Sequence, residues 1–142
     1  MEKKEIKITV AQKNSISSVL LILNEMIDEI EDLCKMENKN SILYAVVNNL
    51  NEKEKANLLE TTSEIKDLIK DIVKVLNIKR KKYETKTLIS SRVSSLWEII
   101  CEMESKRLKS YGEVSTHLKE FLDPCVNRII HLLKNIAIFL HK

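Results

Sequence analysis

The sequence predicts an all-α chain, an up-down-up-down four-helix bundle with an extra short helix between helices 1 and 2. Three observations carry that expectation. Apolar residues recur at alternating steps of three and four over four long stretches, the spacing that holds one side of a helix against a neighbour. The 142 residues include one glycine, Gly112, and one proline, Pro124, where average usage would give about ten and seven. Turns that need positive φ are therefore scarce, which excludes most β architectures. The connections between the stretches are short, and short connections make successive helices antiparallel neighbours.

The first long helix is expected over 9–36. Thr9 followed by Gln12 forms a capping box, in which each side chain satisfies an orphan backbone donor of the other residue. Ile16, Leu20, Leu23, Ile27, Ile30 and Cys34 make its inward seam, widened by Val19, Met26 and Leu33. Glu37, Asn38, Lys39 and Asn40 form a polar break. Ser41 is then placed to cap a short helix with Ile42, Val46, Val47 and Leu50 inward, a lid over one end of the bundle. Asn51 with Glu54 repeats the capping box and opens the second long helix, whose expected core is Leu58, Thr62, Ile65, Leu68, Ile69, Ile72, Val75 and Leu76.

A third helix is expected over 83–108, with Ile89, Val93, Leu96, Ile100 and Met103 inward and Trp97 on the flank. Gly112 is placed to supply the left-handed residue of its C-cap. The last helix is expected over 114–141. Asp123 and Pro124 interrupt it, because Asp caps helices and Pro suits the first helical position, so a break or kink is expected there. No internal repeat or low-complexity run divides the chain, which reads as one domain over 1–142.

Several function classes are excluded. Glycine-rich phosphate cradles need several glycines within a few residues. Carboxylate-bridged metal bundles need paired Glu-x-x-His motifs, zinc helices need His-Glu-x-x-His, and compact zinc or redox sites need Cys-x-x-Cys. None of these occurs. Only three histidines are available as bases and none neighbours a nucleophile in an exposing turn. The chain is expected to be no enzyme, with no cofactor, metal or catalytic residue. Cys34, Cys101 and Cys125 are far apart and set among apolar residues, as free thiols of a reducing compartment are. With His117 they would share one half of the bundle, the single looser metal possibility. The N-terminal residues lack the apolar core of a leader and no stretch is apolar enough to span a membrane, so a cytoplasmic location and no membrane partner are expected.

The formal net charge is +3. Folded as a bundle, residues 1–18, 66–92 and 128–142 would meet at one end with sixteen basic side chains against five acidic ones, leaving the other end acidic. Lys79, Arg80, Lys81, Lys82, Lys86 and Arg92 are the candidate polyanion-binding residues, with serines 15, 17, 18, 90, 91, 94 and 95 as possible helpers near helix N-termini. No aromatic is interleaved to stack bases, which argues against single strands. The acidic run Glu25, Asp28, Glu29, Glu31 and Asp32 sits where the helix dipole disfavours it, with Lys35, Lys39 and Lys55 as local compensation.

The last helix is apolar over about half its circumference, more than one core needs. Surplus apolar surface on a helix marks an interface, and Ile130, Ile138 and Phe139 are the candidate partner-binding residues. The expected function is a non-enzymatic helical interaction or adaptor module that self-associates or binds a protein partner through this helix. The alternative is an accessory nucleic-acid-binding bundle that uses the basic turn at 79–82.

Overall fold

The computed structural model describes residues 6–141. Lys3, Lys4 and Lys142, counted above at the basic pole, and the first five residues of the segment read for a leader lie outside the described residues. The chain is mostly helical and divides into two compact units, Met1–Arg80 and Lys81–Lys142.

The first unit holds α1 (Val10–Lys35), the strands β1 (Lys39–Asn40) and β2 (Ala45–Val46), and α2 (Glu52–Val75). Both expected capping boxes form: the Thr9 hydroxyl accepts from Gln12 N–H at 3.0 Å, and the Asn51 carboxamide accepts from Glu54 N–H at 2.7 Å. The partner bonds, from the Thr9 and Asn51 N–H groups to the Gln12 and Glu54 side chains, are both 3.0 Å. Because these motifs depend on residues three apart, they fix helix starts without tertiary help. α2 ends in a Schellman motif, with Ile78 N–H bonded to the Val73 carbonyl at 2.9 Å and Asn77 N–H to Lys74 at 3.3 Å. Asn77 takes the left-handed conformation that motif needs, at φ 52°.

α1 and α2 pack against each other along one seam. On α1 it runs through the buried Leu20, Ile27 and Cys34, at steps of seven, with half-buried Asn24 and Glu31 between them and half-buried Ser17 one turn before Leu20. Thr62 is the buried residue of α2, as expected, and its hydroxyl donates to the Leu59 carbonyl at 3.1 Å.

The expected short helix after Ser41 does not form. β1 and β2 pair antiparallel instead, Lys39 opposite Val46 and Asn40 opposite Ala45, and Ser41 N–H donates to the Tyr44 carbonyl at 2.8 Å. Tyr44, Val46 and Val47 favour strands over a one-turn helix. The expected inward residues separate: Val46 and Leu50 are half-buried, whereas Ile42 and Val47 are exposed. Asn48 anchors the pair to α1. Its side-chain NH2 donates to the Met36 carbonyl at 2.6 Å and to Leu33 and Cys34 at 3.4 Å, while its oxygen accepts from Leu50 N–H. Terminal carbonyls that a helix leaves without partners are satisfied in this way.

The second unit holds α3 (Thr85–Cys101), α4 (Ser105–Leu108), a 3-10 turn (Lys109–Tyr111) and α5 (Thr116–Leu140). α3 is shorter than the 83–108 expected. Its last residues tighten into i→i−3 bonds, from Glu102 to Ile99, Met103 to Ile100 and Glu104 to Cys101, after which Glu104 is extended and α4 starts afresh. Gly112 closes the 3-10 turn at φ 145°, a conformation that suits glycine but differs from the left-handed helical cap expected.

α5 is not broken at Asp123 and Pro124. It is continuous with Pro124 inside it, and Asp123 caps a different helix. The Asp123 carboxylate accepts from Ser105 N–H at 3.1 Å and from the Ser105 hydroxyl at 2.8 Å, at the N-terminus of α4. α3 packs on α5 around Val93, Val126 and Leu133.

Candidate functional site

Each long helix carries two neighbouring apolar seams, and pairing within its own unit covers only one. On α1 the uncovered seam is Val19, Leu23, Met26, Ile30 and Leu33, spaced four, three, four and three. The covered seam of α1 includes Ser17, Asn24 and Glu31, so the more polar face is the one packed. Leu58, Leu68, Ile72 and Val75 of α2, Ile89 and Leu96 of α3, and Met103 just after α3 are likewise exposed although expected in a core. Periodicity reports that both faces are apolar; it does not report which face the partner helix takes.

α5 shows the arrangement most clearly. Its covered seam runs through Asp123, Val126, Ile130, Leu133, Ala137 and Leu140, all buried or half-buried. Ile130 therefore packs within the second unit. Phe121, Leu132 and Phe139 are 70 %, 45 % and 61 % exposed. Steps of eleven and seven return to within about 20° of the same azimuth on an α-helix, so these three form one outward line, flanked by exposed Leu118 and Ile129. Ile138 is 59 % exposed, but as the neighbour of Phe139 it is turned about 100° away. Of the three candidates named from the sequence, one packs inward and two face different directions. Phe121 and Leu132 were not singled out, although the step of seven from Leu132 to Phe139 is visible in the sequence.

The candidate polyanion residues are all exposed. Lys79, Arg80, Lys81 and Lys82 lie in the coil between α2 and α3, and Lys86 and Arg92 lie on α3. A step of six places the last two about 120° apart on the helix, so they do not form one stripe. The hydroxyls of Ser94 and Ser95 donate back to the Ser90 and Ser91 carbonyls, each at 3.2 Å. Those protons are committed to the helix rather than to a phosphate.

The acidic run on α1 is compensated from α2. Lys66 Nζ lies 2.7 Å from Asp28 and 3.1 Å from Glu31, and its hydrogen bonds to those carboxylates, Asp28 first, raise its pKa above 10.5. Two of the local candidates are used otherwise: Lys55 pairs with Glu52 at 3.7 Å and Lys39 lies over the Tyr44 ring at 5.8 Å. Cys34 is buried, Cys101 half-buried and Cys125 exposed, all as free thiols. Burial, and after it the Glu104 carboxylate, pushes the Cys101 thiol up, against thiolate chemistry. Among the described residues no group of three or more His, Cys, Asp and Glu is gathered as a metal ion would require, and no helix is long and apolar enough to cross a membrane.

Asp123 yields a pH-dependent prediction. The Ser105 N–H, and next its hydroxyl, stabilise the ionised carboxylate and lower its pKa below 3.8. A lowered carboxylate pKa contributes stability that is present above the unfolded value and is lost as pH falls through the folded one. Asp123→Asn is expected to lower the thermal midpoint by several degrees at neutral pH, and the gap from wild type should shrink below about pH 4. Circular dichroism melts at neutral and acid pH measure both.

No family model, curated protein or solved structure matches the chain.

Proposed function

We propose that the chain is a cytoplasmic, non-enzymatic helical interaction module that self-associates through α5. The outward line of Phe121, Leu132 and Phe139 carries this reading. An apolar line along one side of a helix is complementary to the apolar line of another helix laid against it. Ile138 extends the contact around the helix end. An up-down-up-down four-helix bundle forming one domain belongs to the same proposal, supported by the exposed apolar residues of α1, α2 and α3 and leaving the outward line of α5 for a second copy.

Light scattering tests the reading. Wild-type chain is expected to exceed the monomer mass, and Phe139→Glu to weaken association at least about tenfold, since a charge in a packed apolar seam must be dehydrated. Ile138→Glu is expected to have the smaller effect. A monomeric mass for wild type at every concentration rules out self-association through α5.

A second reading, polyanion binding, rests on Lys79, Arg80, Lys81 and Lys82 being exposed and absent from every ion pair found among the described residues. Its signature is heparin retention that falls steeply with salt and disappears on charge reversal at those four positions.

A further inference from the structure

The two ends of the first unit differ in shape and in charge. At one end the connection from β1 to β2 carries Ile42 and Leu43 at its apex, 99 % and 93 % exposed. Bulky aliphatic side chains stand here where Gly, Asn, Asp or Ser normally supply turn geometry. Neither burial nor turn chemistry accounts for that choice, and a residue that breaks its local rule without structural gain marks a contact outside the fold. At the other end, Ile6, Ile8, Ile16 and Leu76 line an open hollow of about 560 Å³, where the N-terminal segment and the start of α1 meet the end of α2. Residues 23–71, on the apex side of the level where Lys66 meets Asp28 and Glu31, hold twelve carboxylates against six lysines, whereas residues 6–22 and 72–80, around the hollow, hold five basic side chains and no carboxylate.

We propose that the apex of one molecule seats in the hollow of a second copy, head to tail. A convex apolar apex needs a concave apolar acceptor, and one lies at the far end of the same unit, amid charge of the opposite sign. Ile42 and Leu43 enter between the isoleucines and Leu76, and the net negative apex end faces the net positive hollow end. That attraction weakens as salt screens it. Because the two surfaces differ, the contact is heterologous: every added copy leaves one apex and one hollow free, so growth does not close by symmetry. It uses no residue of α5 and is independent of the self-association proposed for that helix.

Sedimentation velocity of the full chain in a Phe139→Glu background isolates this contact. The mass is expected to rise with concentration at low salt. Ile42→Ser with Leu43→Ser, at the apex, and Ile8→Glu, at the hollow, are each expected to weaken association at least about tenfold. Mixed together, the apex-deficient and hollow-deficient chains retain one complementary surface each and are expected to give a one-to-one dimer and nothing larger. Unchanged helical circular dichroism identifies the variants as folded, and Lys7→Glu, beside the hollow, gives a second acceptor variant with a milder loss. A parent that stays monomeric, association unaffected at both ends, or a mixture without the dimer overturns head-to-tail docking. If Phe139-dependent association persists in the otherwise unaltered chain, only this proposal falls.

Discussion

Val126→Asp is expected to abolish cooperative melting of the second unit's α3–α5 hairpin. Val126 is 1 % exposed, the most enclosed side chain described, and packs in the seam with Val93 and Leu133. A carboxylate there loses its water and gains no partner, since Asp123 one turn earlier is itself acidic and engaged with Ser105. An uncompensated buried charge costs about 3–5 kcal/mol, a large share of the ~5–15 kcal/mol that holds a whole domain folded. Asn127→Asp is the control. It introduces the same charge on the same helix at an exposed residue that lies on neither seam, where substitutions usually stay within about 0.5 kcal/mol. Urea denaturation followed by circular dichroism is expected to separate the two. A near-wild-type midpoint for Val126→Asp would remove this seam as the core of the second unit.

Asn48→Asp is the second large effect. The Asn48 NH2 faces three carbonyls at the end of α1, from Leu33, Cys34 and Met36, and its oxygen faces the Leu50 N–H. That arrangement admits the amide in one orientation. Asn48→Ala leaves partly buried carbonyls without donors, a loss of about 1–3 kcal/mol. Aspartate is expected to cost more, because it sets a carboxylate oxygen against those carbonyls at the negative end of the helix dipole. The urea midpoint should fall in the order wild type, Asn48→Ala, Asn48→Asp. Backbone hydrogen exchange should rise at the last turn of α1 and through β1 and β2 before it rises elsewhere. Equal midpoints for the two variants would show that Asn48 does not act through its donors.

Both predictions rest on residues whose roles the sequence obscures. Val126 is one of many apolar positions on the last helix, indistinguishable by composition from the exposed Leu132 and Phe139. Asn48 stood inside a stretch that suggested a helix, and only strand pairing brings it beneath α1. Asp123 beside Pro124 has the local signature of a helix start, but Ser105, eighteen residues away, competes for its carboxylate. Pro124 then stays within a continuous helix. For Asp123 a contact distant in sequence outweighed a capping preference of about 1 kcal/mol.

The candidate surfaces were legible to a similar extent. That α5 has more apolar surface than one seam requires follows from composition and period, because both are properties of the helix alone. Which residues face outward does not follow. The sequence named Ile130, Ile138 and Phe139, whose azimuths differ on any α-helix, and packing against α3 decides that Ile130 is the one covered. The basic turn was read from adjacency along the chain, which holds for Lys79, Arg80, Lys81 and Lys82 and fails for Lys86 and Arg92, separated by the turn of α3.

By itself the sequence determined an all-α chain and the starts of α1 and α2, since capping boxes and three-four periodicity act over one or two turns. Only the tertiary structure decided which of two adjacent seams is covered, that Lys66 answers the acids of α1 from thirty-five residues beyond Glu31, and that a strand pair replaces the expected short helix. The reason is range. Local rules set the conformation of a segment, whereas the rotation of a helix about its own axis is fixed by the helix it packs against.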